Sequence, residues 1–130
     1  QGNFLTRESV MGMSLEAQIV RISDALAYLS HDIEDAFRSD FLSLKKIPKH
    51  IAEFIAVKAI LHNLVDDNTA PSIAAGAIFL ACSISNNTVS KKQVADSCKT
   101  SEVTISKCYK KLNDEKENLL PREILNSLIL

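Results

Sequence analysis

PSIAAGAIFLACSIS, residues 71–85, decides how the rest of this chain is read. A proline suits the first turn of a helix, and the residues after it are apolar on every side, with small side chains at Ala74, Ala75, Gly76 and Ala77. A helix without a polar face belongs at the centre of a bundle. Gly76 costs about 1 kcal/mol relative to alanine inside a helix, a loss that a closely packed neighbouring helix would offset. The expectation is an all-α fold built around this segment.

The flanking sequence supplies the surrounding helices. Downstream, Ser90 begins a short helix with Gln93 in capping-box position and an inner face of Val94, Ala95 and Cys98. Lys99-Thr100 forms a tight turn, and Ser101 caps a further helix. Its inner residues are Val103 or Thr104, then Ile105, Cys108, Tyr109 and Leu112. That helix ends before Pro121, and in the tail Ile124, Leu125, Leu128 and Ile129 share one face, which predicts a short C-terminal helix over 122–130. Upstream, Pro48 opens a helix running through Ile51, Phe54 and Ile55 to about Val65, followed by the polar loop Asp66-Asp67-Asn68-Thr69. Further back, Ser14 caps a helix whose Leu15, Ile19, Ile22, Leu26, Leu29, Ile33 and Phe37 recur at steps of three or four to about Arg38. Residues 1–13 show no period and read as a loose lead-in. Residues 14–130 read as one helical domain.

Composition narrows the function classes. The chain has 130 residues, 46% of them hydrophobic, with five Phe, two Tyr and no Trp. That is enough for one core. Three glycines and three prolines are too few for a many-stranded β-fold. Cys82, Cys98 and Cys108 lack CxxC spacing, which argues against a disulfide framework or zinc ribbon and suits a reducing compartment. No apolar run is long enough for a membrane span and the chain opens without a signal-peptide pattern, so a soluble intracellular protein is expected. Net charge is −1, but residues 1–43 carry −4 and residues 44–130 carry +3. Within 85–113, six lysines face only Asp96 and Glu102. A charge step of this kind points to halves with different origins or partners.

Two constellations could carry chemistry. On the first helix, Asp24, Tyr28, His31 and Asp35 fall at i, i+4, i+7 and i+11, with Asp32 beside them. Carboxylates and an imidazole on one face are metal-ligand types, but the row equally describes a solvated face opposite the apolar stripe. Near the other end, two short helices joined by a three-residue turn form a helix-turn-helix, whose second helix would enter a major groove by its N-terminal end. The interface residues are then Ser101, Val103, Thr104, Ser106, Lys107, Lys110 and Lys111, with Lys91 and Lys92 at the start of the preceding helix. Lysines placed this way position a protein on phosphates and carry little base information.

Two resemblances follow from these segments. SLEAQIVRISDALAYLSHDIEDAFRSD, residues 14–40, resembles one helix of the HD-domain deoxynucleoside triphosphate triphosphohydrolases, including the spacing of Asp24, Tyr28 and Asp32. The resemblance implies that Asp24 stands where that family has its last metal ligand, and Tyr28 and Asp32 near its nucleotide. The family's metal site also needs an upstream histidine and a His-Asp pair, and no histidine precedes His31. One carboxylate does not hold and orient a catalytic metal. The expectation is the helix without the activity: no enzyme, no cofactor, and Asp24 at most a weak cation ligand.

Residues 41–121, carrying PSIAAGAIFLACSIS, then QVADSCKTSEVTI, then LLP, are similar to the second cyclin-like repeat of transcription factor IIB. This implies a cyclin-like bundle of about five helices, contact with DNA and TATA-binding protein through the helix-turn-helix, and a nuclear location. Two departures matter. Ser106 replaces the family's usual arginine and cannot make a bidentate contact to guanine. Lys99 stands where glycine is common, and a non-glycine residue tolerates positive φ poorly. The boundary between the resemblances falls near residues 39–41. A fusion of fragments, artificial or recombined and without native activity, is the alternative to a natural divergent factor; an inactive triphosphohydrolase fragment is the other. A homodimer through the N-terminal helix is a second way to bury the stripe of residues 15–37.

Overall fold

The computed structural model describes residues 14–38, 49–62, 64–65, 68–85, 87, 89–123 and 126. The regular elements among them are all helical: α1 (Leu15–Phe37), α2 (Lys49–Leu61), α3 (Ala70–Ile84), α4 (Lys91–Cys98), α5 (Glu102–Asp114) and α6 (Lys116–Leu119). Residues 1–13, Pro48, the 39–41 boundary and the apolar positions of the tail lie outside the described residues.

Helix α3 is the centre, as its lack of a polar face requires. Ser72 through Ile78 are buried without interruption, followed by Leu80, Ala81 and Cys82. Helices α1, α2, α4 and α5 all pack against it. The buried hydroxyl of Ser72 donates to the carbonyl of Thr69 at 2.8 Å, which removes the penalty of an unpaired polar group. Small side chains let α5 come close. A Cβ built on Gly76 would lie 2.8 Å from Sγ of Cys108 and 3.1 Å from its Cβ. The glycine's propensity cost is therefore the condition for this α3–α5 approach.

The first helix begins where Ser14 predicts, its hydroxyl accepting the amide of Ala17 at 3.2 Å. At its other end the Arg38 amide returns to the carbonyls of Glu34 and Asp35. Its 23 residues span about 35 Å at 1.5 Å per residue. The described core residues of α1 lie in its second half. Leu29, Ile33 and Ala36 are in the core, with Leu26 and Phe37 packed against it. Glu16, Ser23, Asp24 and Ala27 are exposed, and Val20 is 57% exposed.

Helix α2 buries Ile51, Ala52, Ile55, Ala56, Ala59 and Ile60. It ends at Leu61, short of the Val65 expected from its apolar pattern. The amide of Leu64 reaches back five residues to the carbonyl of Ala59 at 3.0 Å, which closes the helix in the manner of a Schellman turn. Val65 is still buried, but as a loop residue. Across the start of α2, the Lys49 ammonium lies 3.2 Å from Glu34 of α1. That hydrogen bond, and then the charge itself, hold the Glu34 carboxyl below its ordinary range. Asp32, half-buried on the same helix, is shifted upward. Loss of solvent dominates, His31 opposes it and Asp35 adds to it.

The α4–α5 pair is fixed by its caps. Ser90 and Gln93 complete the capping box in both directions, at 3.0 and 3.1 Å. Ser101 accepts the Thr104 amide at 3.2 Å and opens α5. Between them Lys99 has φ 57 and ψ 46, while the Thr100 amide bonds the Ala95 carbonyl at 3.0 Å. The left-handed conformation costs a non-glycine residue about 1–2 kcal/mol, part of which glycine returns as backbone entropy. Lys99→Gly is expected to stabilise the fold by about 1 kcal/mol; an unchanged or lowered midpoint in urea would contradict this account of the turn. After α5, the short α6 brings Leu119 and Leu120 into the core against α2 and α5.

Candidate nucleic-acid interface

Which way α5 faces is settled by what it buries: Ile105, Cys108 and Leu112. The opposite side carries Val103, Lys107 and Lys110 at i, i+4 and i+7, all exposed. The sequence left Val103 and Thr104 as alternatives for the inner face. The structure turns Val103 out, 64% exposed. Thr104 is half-buried, its hydroxyl 2.7 Å from that of Ser101. Ser101 is exposed at the cap and Ser106 is half-buried one turn further along. A helix whose first turn is held by a serine cap and whose inner face is locked in the core is a rigid presenter of side chains. Glu102 is exposed in that first turn. It favours the helix dipole and would repel a phosphate placed at the helix start.

The lysines separate into two groups. Lys92, Lys107 and Lys110 are exposed, as is Lys99 in the turn between the helices. Lys99, counted from the sequence among the six lysines but placed only in the turn, adds its charge to the same pair of helices. Lys91 is half-buried with its ammonium 5.9 Å from the centroid of the Phe79 ring. Tyr109 meets that same ring edge-on, centroids 4.9 Å apart at 82°. Lys91 thus joins α4 to α3 through a cation–π contact. Lys111 donates to Oδ1 of Asn68 at 3.1 Å and joins α5 to the loop before α3.

The polar row of α1 does not form a ligand cluster. Asp24 and Tyr28 are exposed, and His31 Nδ1 lies 3.2 Å from Asp35 Oδ2. Among the described residues, no three His, Cys, Asp or Glu side chains converge. Cys82 and Cys108 are buried, and the Cys98 thiol is pushed up to about 12, by burial first and then by Asp32 and Cys82. A thiol in that range is not a thiolate at neutral pH. None of the described helices is long and apolar enough to cross a membrane.

A buried central helix, four helices packed around it and a capped helix-turn-helix define a cyclin-like helical repeat. The family model for the transcription factor TFIIB repeat matches residues 29–115, and the chain belongs to that family. Transcription initiation factor IIB of Dictyostelium discoideum is 31% identical over 90 residues, covering 67% of this chain and 28% of that protein. A second likeness is also present. A deoxyguanosinetriphosphate triphosphohydrolase-like protein of Syntrophus aciditrophicus is 53% identical over 34 residues, 26% of this chain and 8% of that protein. Its counterpart in Clostridium perfringens is 35% identical over 68 residues, 48% of this chain and 20% of that protein. The chain spans less than a third of each of these relatives. Segments of one chain therefore resemble two families, as the sequence indicated. The likenesses also overlap, because shares of 67% and 48% exceed the whole. The repeat match begins at Leu29, well before residue 41, and Leu29 is where the described side chains of α1 first become buried. The end of α1, from Leu29 on, is thus part of the repeat.

Proposed function

We propose that this chain is a transcription factor IIB-like repeat that binds duplex DNA through α5 and the start of α4, together with TATA-binding protein, in the nucleus. It acts by binding and not by catalysis. The observation that carries the reading is the exposed row Val103, Lys107 and Lys110 on a helix fixed by its cap and core, with Lys92 and Lys99 beside it. Ser101, Thr104 and Ser106 add short hydroxyl donors at the same end. The lysines take phosphates, and the Val103 methyls suit the 5-methyl group of thymine. Without an arginine at Ser106 the base preference is weak. Lys91 and Lys111 contribute by holding the helix pair in place, since both already have partners within the fold.

The test is fluorescence anisotropy with a labelled promoter duplex, with and without TATA-binding protein, over a salt series. Each phosphate contact contributes about 0.9 to the slope of log K against log salt. Lys107→Gln/Lys110→Gln is expected to flatten that slope by about 1.8. No salt-sensitive binding at 50 mM salt, alone or with TATA-binding protein, would leave a folded helical domain without this function.

A further inference from the structure

The first turn of α5 carries a carboxylate that the lysines around it leave unpaired. Glu102 is exposed, and among the described residues it has no ion-pair partner. Its helical neighbours at i+3 and i+4 are Ile105, which is buried, and Ser106, so no cation stands one turn along the helix to neutralise it. The other acid of this segment is placed differently. Asp96 lies one turn beyond Lys92 on α4, at the spacing of a helical ion pair. An unpaired carboxylate weakens an interface made of phosphates alone. A helix that enters a groove by its N-terminal end, however, sets its first side chains against base edges. Glu102 and Val103 are the first two residues of α5.

We propose that Glu102 reads a cytosine in the major groove, its carboxylate accepting a hydrogen bond from the N4 amine, beside the position that Val103 contacts. The inference deepens the DNA-binding reading and rests on α5 as the groove-facing helix. An ionised carboxylate only accepts hydrogen bonds. Cytosine offers it an amine with no acceptor alongside. Adenine sets the N7 acceptor next to its amine, guanine presents N7 and O6, and thymine presents O4. Each of these turns a lone pair towards the carboxylate and is disfavoured. Glu102 therefore selects by repulsion as much as by attraction. The lysines supply affinity through phosphates, and Glu102 adds one read position to a helix whose base preference is otherwise weak.

The experiment selects duplexes from a pool in which a TATA element is flanked by randomised base pairs. The chain is used with TATA-binding protein, and TATA-binding protein alone gives the baseline. Wild type is compared with Glu102→Gln, Glu102→Ala and Lys107→Gln/Lys110→Gln, with a salt series and thermal unfolding of each. Both Glu102 changes fall at an exposed position, so folding is expected to survive them. Wild type is expected to enrich cytosine at one position about tenfold over the baseline, the scale of a single base contact. Glu102→Gln should move that preference to adenine, because a carboxamide accepts from N6 and donates to N7. Glu102→Ala should abolish it. Neither change removes a phosphate contact, so neither should flatten the salt slope. The lysine variant has the opposite signature, a slope flatter by about 1.8 with the cytosine preference kept. An acid serving only the helix dipole would shift the unfolding midpoint of both Glu102 variants and leave the selected sequences unchanged. That result, or no cytosine enrichment by wild type, beside salt-sensitive binding overturns the Glu102 assignment and leaves the α5 reading standing. No salt-sensitive binding by the wild-type chain at 50 mM salt overturns both.

Discussion

Ile33→Ala is expected to lower the stability of the fold by about 2–5 kcal/mol, the range for removing a large aliphatic side chain from a packed core. Ile33 is fully buried in the second half of α1, between Leu29 and Ala36. A domain has only about 5–15 kcal/mol to lose, so the variant should be largely unfolded well below the wild-type midpoint. Val20→Ala on the same helix is the control. Its side chain is 57% exposed, and the change should stay within about 0.5 kcal/mol. Urea unfolding of the two variants separates a buried position of α1 from an exposed one. Equal losses at both sites, or none at Ile33, would refute the packing described for α1.

Gly76→Ala is expected to cost up to about 2 kcal/mol despite alanine's better helix propensity. The propensity gain is about 1 kcal/mol. Against it stands the approach of α5: the new methyl meets Sγ of Cys108 at 2.8 Å and Cδ1 of Leu112 at 3.4 Å. Overpacking of this kind costs about 1–3 kcal/mol. Both neighbours are themselves buried, so neither yields by swinging into solvent. Cys108→Ala in the Gly76→Ala background removes the nearest atom and should recover part of the loss. A double-mutant cycle should show coupling of at least about 0.5 kcal/mol. Strict additivity would mean that the two helices do not meet where the structure places them.

What could be read from the sequence was local. The caps at Ser14, Ser90 and Ser101, the capping box with Gln93, the strained turn at Lys99 and the polar-free helix after Pro71 each depend on residues within a few positions of one another, and the structure bears each out. What could not be read was set by contacts distant in sequence. The apolar pattern of α2 runs on to Val65, but the chain leaves the helix at Leu61 and buries Val65 from a loop. Val103 and Thr104 sit on the two sides of a boundary that periodicity does not resolve; the second is half-buried, its hydroxyl 2.7 Å from that of Ser101. Lys111 and Asn68 are 43 residues apart, and nothing local marks them as partners. The same holds for Lys91 and the Phe79 ring. The lysine face was legible as a class of site, while the division of labour among its lysines was a tertiary fact.

The position of α3 also governs how the molecule fails. Each of its sides is covered by a different helix, so none of those helices can leave without wetting the apolar rod at the centre. Departure of one neighbour exposes a sticky surface of alanines and isoleucines on a segment that has no charged residue to keep it dispersed. The chain is therefore built to come apart all at once, and any lesion that loosens a single wall invites aggregation in place of a tolerated, partly open form.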